Sequence, residues 1–342
     1  SIIIPIGVTS IGDHTFAFCS KLQSITIPTG VTSIGNSAFS NCYNLQSITI
    51  PTTLKSIRNS AFSNCINLQS ITMPEGVTSI YDYAFFGCSR LQSIVFPTSV
   101  TFIGNSVSYG CSNLQSINVE SNNLNYTSRD GILFTKNCEC IICFPPNHSL
   151  THYTIPMTVT SIGLFAFYKC SNLKSIKIPT SVKSISNFAF SDCSNLQSIT
   201  IPESVTSIGG SAFYQCVNLL SITIPRSVTS ICNCTFFGCS NLQSIIIPEG
   251  VTSIGHYAFH NCQALQSIII PESITSIGDS VFSNCINLQS IIIPASVTSI
   301  GDYPFLLCNK LHAISISNLL VNEIERLIPS DSVNLPEFIL TK

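Results

Sequence analysis

The chain has 342 residues, of which 9% are charged, and a formal net charge of −2. Ordinary soluble domains carry roughly 25% charged residues, so the polar surface here must come from Ser, Thr, Asn and Gln. The charge balance excludes a nucleic-acid footprint and a polybasic membrane patch, and no apolar stretch approaches the roughly 20 residues that cross a bilayer.

The first residues, Ser1-Ile2-Ile3-Ile4-Pro5, are the middle of a repeat with no initiating Met, which reads as a processed or truncated product. From there a 23-residue unit recurs. Proline falls at Pro5, Pro28, Pro51, Pro74 and Pro97, then resumes at Pro156 and runs to Pro294. Cysteine keeps the same interval from Cys19 to Cys111 and from Cys170 to Cys308. A fixed period of this size predicts stacked coils, a right-handed solenoid, and not one globular core.

Residues 22–44 show how one coil should fold. Leu22, Ile25 and Ile27 fit the L-x-x-L-x-L strand pattern, with Ile25 and Ile27 inward and Ser24 and Thr26 outward. Pro28 lacks an N–H and ends the strand. Val31 and Ile34 form the next inward pair, and Gly35 allows a turn. Asn36 is placed to cap a short helix carrying Phe39 and Cys42 on one face. Leucine, isoleucine and phenylalanine each form a ladder along the chain. The phenylalanine ladder fails at Ser108, where the neighbouring Tyr109 is expected to replace part of the volume.

The unit C-x-N-L-x-S-I-x-I-P-x-x-V-T-S-I-G-x-x-A-F resembles the BspA-type (treponemal) leucine-rich repeat over most of the chain. The resemblance implies an α/β leucine-rich-repeat solenoid of about twelve coils, with a parallel sheet and short helical turns. It further implies a cell-surface or secreted protein, adhesin-like, that contacts host or cell-surface proteins.

Between Pro97 and Pro156 the interval stretches to 59 residues. Two alternating runs, GILFTK (131–136) and CIICFPP (140–146), predict a β-hairpin. This is either a degenerate coil or a projecting loop where binding residues sit. After Leu311 the repeat fades. Residues 318–328, NLLVNEIERLI, read as an amphipathic helix with Asn318 as N-cap and Pro329 as stop, a cap for the last coil. The expected organisation is therefore repeats over 1–119, an irregular hairpin-bearing insertion over 120–154, repeats over 155–316 and a cap over 317–342.

Cysteines on the repeat interval point the same way from parallel coils, so they are read as small buried apolar groups and not as disulfides. Cys138, Cys140, Cys143, Cys232 and Cys234 lie off the interval. Cys138, Cys140 and Cys143 lie near His148 and His152, which invites a zinc reading, but alternation would put Cys140 and Cys143 on opposite faces. A hairpin disulfide is the alternative. Asn125, Asn147 and Asn233 head glycosylation sequons. His256 and His260 share an i, i+4 spacing without the acid of a metalloprotease helix. No phosphate loop, nucleophile elbow or recurring carboxylate pair is present, so no enzyme, cofactor or metal is expected.

The outward strand positions form two columns. The first is nearly all serine and includes Ser244, Ser267 and Ser290. The second runs Thr26, Thr49, Thr72, Val95, Asn118, Lys177, Thr200 and Thr223, then turns to Ile246, Ile269 and Ile292. Three outward isoleucines make an apolar strip of the kind that marks contact sites. Glu249 and Glu272 lie beside it, with Glu203, Arg226 and Glu249 able to pair across coils. The expectation is that a protein partner binds there. Drift from Thr to Ile at a site that favours β-branched residues is the competing explanation. An intracellular interaction scaffold (a cytoplasmic one) and an ice-binding hydroxyl array remain the other classes.

Overall fold

Each repeat makes two short strands and a run of tight turns, and the residue pattern explains each piece. In the computed structural model, which describes residues 2–317 and 337–341, the strand Ser24–Thr26 pairs in parallel with Ser47–Thr49, aligning Ser24 with Ser47 and Ile25 with Ile48. Pro28 closes the strand. The second strand, Ser33–Ile34, pairs in parallel with Ser56–Ile57. The register is the sequence period itself, so Leu45, Phe39, Cys42, Val31 and Ile34 each meet their copy one layer away, all fully buried. The molecule is thus a parallel-strand solenoid of leucine-rich-repeat type.

No helix occurs among the described residues, which corrects the expected helical turn over Asn36 to Cys42. The backbone N–H groups explain why. Those of Ser37, Phe39 and Asn41 donate to Asn59, Ala61 and Ser63 carbonyls of the next coil, at 2.8, 2.8 and 2.7 Å. Those between them, on Ala38, Ser40 and Cys42, close local turns onto Gly35, Ser37 and Phe39. Half the donors therefore bridge coils, which an α-helix, with its internal i−4 bonds, cannot do. The geometry places Ser37 and Asn41 in the left-handed region, φ 52° and 61°.

Asn36 is likewise not a helix cap. Its N–H donates to Asp13 Oδ1 at 2.6 Å, the first rung of a side-chain ladder. Asp82 N–H donates to Asn59 Oδ1 and Asn105 N–H to Asp82 Oδ1 in the same way. Gly35 serves close approach more than a turn: a Cβ there would lie 2.5 Å from Asp13 Oδ1 and 2.7 Å from Asp13 N.

Two compact units are formed. The first comprises Ser1–Ser149 and Leu164–Cys170, the second Leu150–Gly163 and Ser171–Lys342. In the first, phenylalanines stack at 5.1–5.7 Å from Phe16 through Phe85. Ser108 breaks this column, and Tyr109 does not refill it. Tyr109 joins a second column instead, stacked on Phe86 at 5.2 Å and Tyr168 at 4.0 Å. The phenylalanine position is taken up by Phe144 of the insertion, which stacks on Phe167 at 5.1 Å. Its N–H donates to Ala166 O at 2.7 Å and its carbonyl accepts the Cys170 thiol, the pattern of an ordinary coil. At Ser108 a cavity of about 30 Å³ remains, bordered by Ser106, Tyr109 and Cys143.

The insertion is a three-stranded meander. Its hairpin pairs Ile132–Thr135 with Cys140–Cys143, as the alternation predicts. A further strand, Tyr126–Arg129, pairs antiparallel with Ile132–Thr135. Asp130 and Gly131 (φ 51° and 76°) make the tight turn between them. Gly131 is doubly required, since a Cβ would fall 2.8 Å from Ser116 Cβ. Asn123, fully buried, holds the base: its Nδ2 donates to Pro97 O and Val100 O, and its Oδ1 accepts from Asn125 N and Tyr126 N.

In the second unit the strands run in parallel from His152–Thr154 to Ser244–Ile246. A second stretch joins Ser290–Ile292, Ala313–Ser317 and Glu337–Thr341. The last strand extends the sheet past the point where the repeat fades in the sequence, aligning Ala313 with Glu337. The expected cap helix over 318–328 lies outside the described residues. No helix among those described is long and apolar enough to cross a membrane.

Candidate partner-binding face

In the strand Ser244–Ile246 the middle residue points in and its neighbours point out. Ile245 is 7% exposed, whereas Ile246 is 63% exposed. The same alternation leaves Ile269 83% and Ile292 66% exposed. The coils hold these side chains in one row: Ile246 aligns with Thr223 of the preceding coil, and Ile269 bridges Ile292. Between Ser244–Ile246 and Ser290–Ile292 the strand pairing reduces to that single bridge. Ser244, Ser267 and Ser290 are exposed alongside, as are Glu249 and Glu272. All eight residues singled out from the sequence therefore lie open to solvent in one unit.

The charge triad departs from expectation. Glu203 Oε2 accepts the backbone N–H of Arg226 at 2.9 Å, and among the described residues no ion pair links Glu203, Arg226 and Glu249. The strand's proline turn brings the backbone amide closer to the carboxylate than the guanidinium comes.

Sequence reasoning missed the side-chain ladder beneath the second strands. Asn233 Oδ1 accepts His256 N–H at 2.9 Å, His256 Nδ1 accepts Asp279 N–H at 3.0 Å, and Asp279 Oδ1 accepts Asp302 N–H at 2.9 Å. His256 Nδ1 also lies 2.9 Å from Asp279 Oδ2. The Asn or Asp that recurs two residues after most of the second-strand isoleucines, as at Asn36, Asn59, Asp82, Asn233 and Asp279, is the signal that could have found it. His256 and His260 do not act together. His260 stacks on Phe237 at 4.6 Å, and burial lowers its pKa.

None of the off-interval cysteines is bridged to another, so the hairpin disulfide is not formed. Cys143 packs against Ser108 Oγ at 3.3 Å, and burial raises its pKa to about 11. His148 Nε2 donates to Asp130 O at 2.7 Å, tying down the hairpin turn, and His152 Nδ1 meets Thr151 Oγ1 at 2.8 Å. Among the described residues no three His, Cys, Asp or Glu side chains gather as metal ligands. Of the sequon asparagines, Asn125 and Asn233 are exposed and Asn147 is half-buried.

The ladder cysteines line the interior. The Cys65 thiol donates to Phe39 O at 3.2 Å and the Cys239 thiol to Phe213 O at 3.2 Å. Burial is the main cause that raises Cys42 to about 11 and Cys239 and Cys308 to about 12.

A family model for the BspA type leucine rich repeat region matches in six copies over residues 1–115, 140–249 and 229–342. No curated protein matches the chain. Among solved structures, a leucine-rich repeat protein from Eubacterium ventriosum is 29% identical, with a TM-score of 0.79 over 87% of this chain and 88% of that one. One from Bacteroides ovatus is 28% identical, TM-score 0.57, over 98% and 88% of the two chains. A leucine rich cell surface protein from Faecalibacterium prausnitzii is 29% identical, TM-score 0.54, over 90% and 76%. Leucine-rich repeat proteins are generally binding scaffolds without catalytic machinery. With its strand, proline turn and cysteine recurring within each unit and the family model matching most of its length, the chain belongs to the BspA-type leucine-rich repeat family.

Proposed function

We propose that the chain is a non-enzymatic, protein-binding scaffold of adhesin type, displayed at a cell surface or secreted, and that it grips its partner through the strand face of the second unit. The observation that carries this reading is the exposed row of three successive isoleucines, Ile246, Ile269 and Ile292, following the exposed threonines Thr200 and Thr223 of the same unit. Exposed apolar rows on otherwise polar surfaces mark contact sites. Similarity to a leucine rich cell surface protein of Faecalibacterium prausnitzii supports the location.

The test uses labelled chain on intact animal and bacterial cells, before and after protease shaving. Saturable binding that shaving removes is the expected result. Burying an isoleucine side chain is worth about 1.5–3 kcal/mol, and threonine keeps part of that. The I246T/I269T/I292T variant should thus bind roughly a hundredfold more weakly, with unchanged thermal unfolding. Undiminished binding by a folded triple variant would remove the site, and binding that survives shaving would remove the protein-partner reading.

A further inference from the structure

We infer that the Ile246–Ile269–Ile292 row seats a basic amphipathic helix of the partner, lying along the stacking direction with its Lys or Arg side chains on Glu249 and Glu272. The inference rests on the partner-binding reading and names the chemistry of its occupant.

Charge is the first argument. From Arg226 to Lys310 the chain contains no other Lys or Arg, while Glu249, Glu272, Asp279 and Asp302 fall within that stretch. The apolar row therefore sits in the longest segment with carboxylates and no lysine or arginine to answer them. Glu249 and Glu272 follow the proline turns of the coils that carry Ile246 and Ile269, and both are exposed. They form an acidic edge along one side of the row.

Spacing is the second argument. Coils in parallel register lie about 4.8 Å apart, so the row from Ile246 to Ile292 spans about 9.6 Å. A helix offers residues i, i+3 or i+4, and i+7 on one face at about 5.2 Å intervals, about 10.5 Å in all. An extended peptide repeats its face at about 6.6 Å and loses register after one step. The row thus fits a helix laid lengthwise, with apolar residues over the isoleucines and the flanking helical column over the carboxylates.

The experiment measures fluorescence anisotropy of three labelled 21-residue peptides with the full chain. The first has Leu at helical spacing with Lys on one flank. The second has the same composition with Leu at every second residue. The third keeps the helical Leu pattern with Glu in place of Lys. The first is expected to bind, tighter than either other by at least tenfold. E249Q/E272Q should weaken it by roughly threefold to tenfold and flatten its salt dependence, and I246T/I269T/I292T should abolish it. Equal binding of the alternating peptide overturns the helix, and equal binding of the Glu peptide overturns the charge assignment. If cells still bind the chain through the isoleucine row while the first peptide fails to bind, the helical occupant is wrong and the partner-binding reading stands. Loss of cell binding in the triple variant together with competition by the first peptide supports both.

Discussion

The buried thiol is the residue on which pH acts most directly. Cys42 is raised to about 11 and Cys239 and Cys308 to about 12, chiefly by burial, whereas a thiol in the unfolded chain titrates near about 8.5. The folded state holds its protons above that value, so this part of the stability is complete below about pH 8.5. It is lost as pH climbs through about 11 and about 12. Thermal unfolding should move to lower temperature steadily above pH 9, and a midpoint unchanged to pH 11 would contradict the buried ladder. Under native conditions a thiol-specific reagent should modify the half-buried Cys19, Cys140, Cys232 and Cys234 before fully buried Cys65 or Cys262. Asn123 is the other decisive residue. With four hydrogen bonds in the interior, Asn123→Ala strands two donors and two acceptors and should cost about 3 kcal/mol or more, read by denaturant unfolding.

Elements show where the sequence is legible and where it is not. The strands and the inward Leu, Ile, Phe and Cys were readable because alternation and a fixed period are properties of the chain itself. The turn segment was misread because Phe39 and Cys42, three apart, suit a helical turn as well as a pair of left-handed turns. Ser37 and Asn41 give no glycine signal for φ 52° and 61°, and the acceptors that decide the matter lie in the next coil. The hairpin Ile132–Thr135 with Cys140–Cys143 was visible, yet Phe144 as the replacement for Ser108 was hidden by the altered interval. Phe144 is buried and stacks on Phe167, so Phe144→Ala should destabilise the first unit by about 3–5 kcal/mol. Tyr109→Ala, off that column, should leave the Phe144–Phe167 stack in place. A Phe144→Ala protein with unaltered unfolding would show the insertion to be an appendage.

At the scale of the whole molecule, the isoleucine row was legible because outward positions can be counted from the period. The Asn, Asp and His ladder beneath the second strands was not, since its meaning depends on backbone N–H groups one coil away. The strand face of the second unit is the proposed binding surface. Hydroxyl-radical footprinting of the chain, free and bound to cells, tests this most directly. Ile246, Ile269 and Ile292 should lose oxidation on binding while Phe18 and Leu124, 70% and 82% exposed elsewhere, keep theirs. Isoleucines oxidised equally in both states, with protection at the insertion or at Phe18, would contradict it.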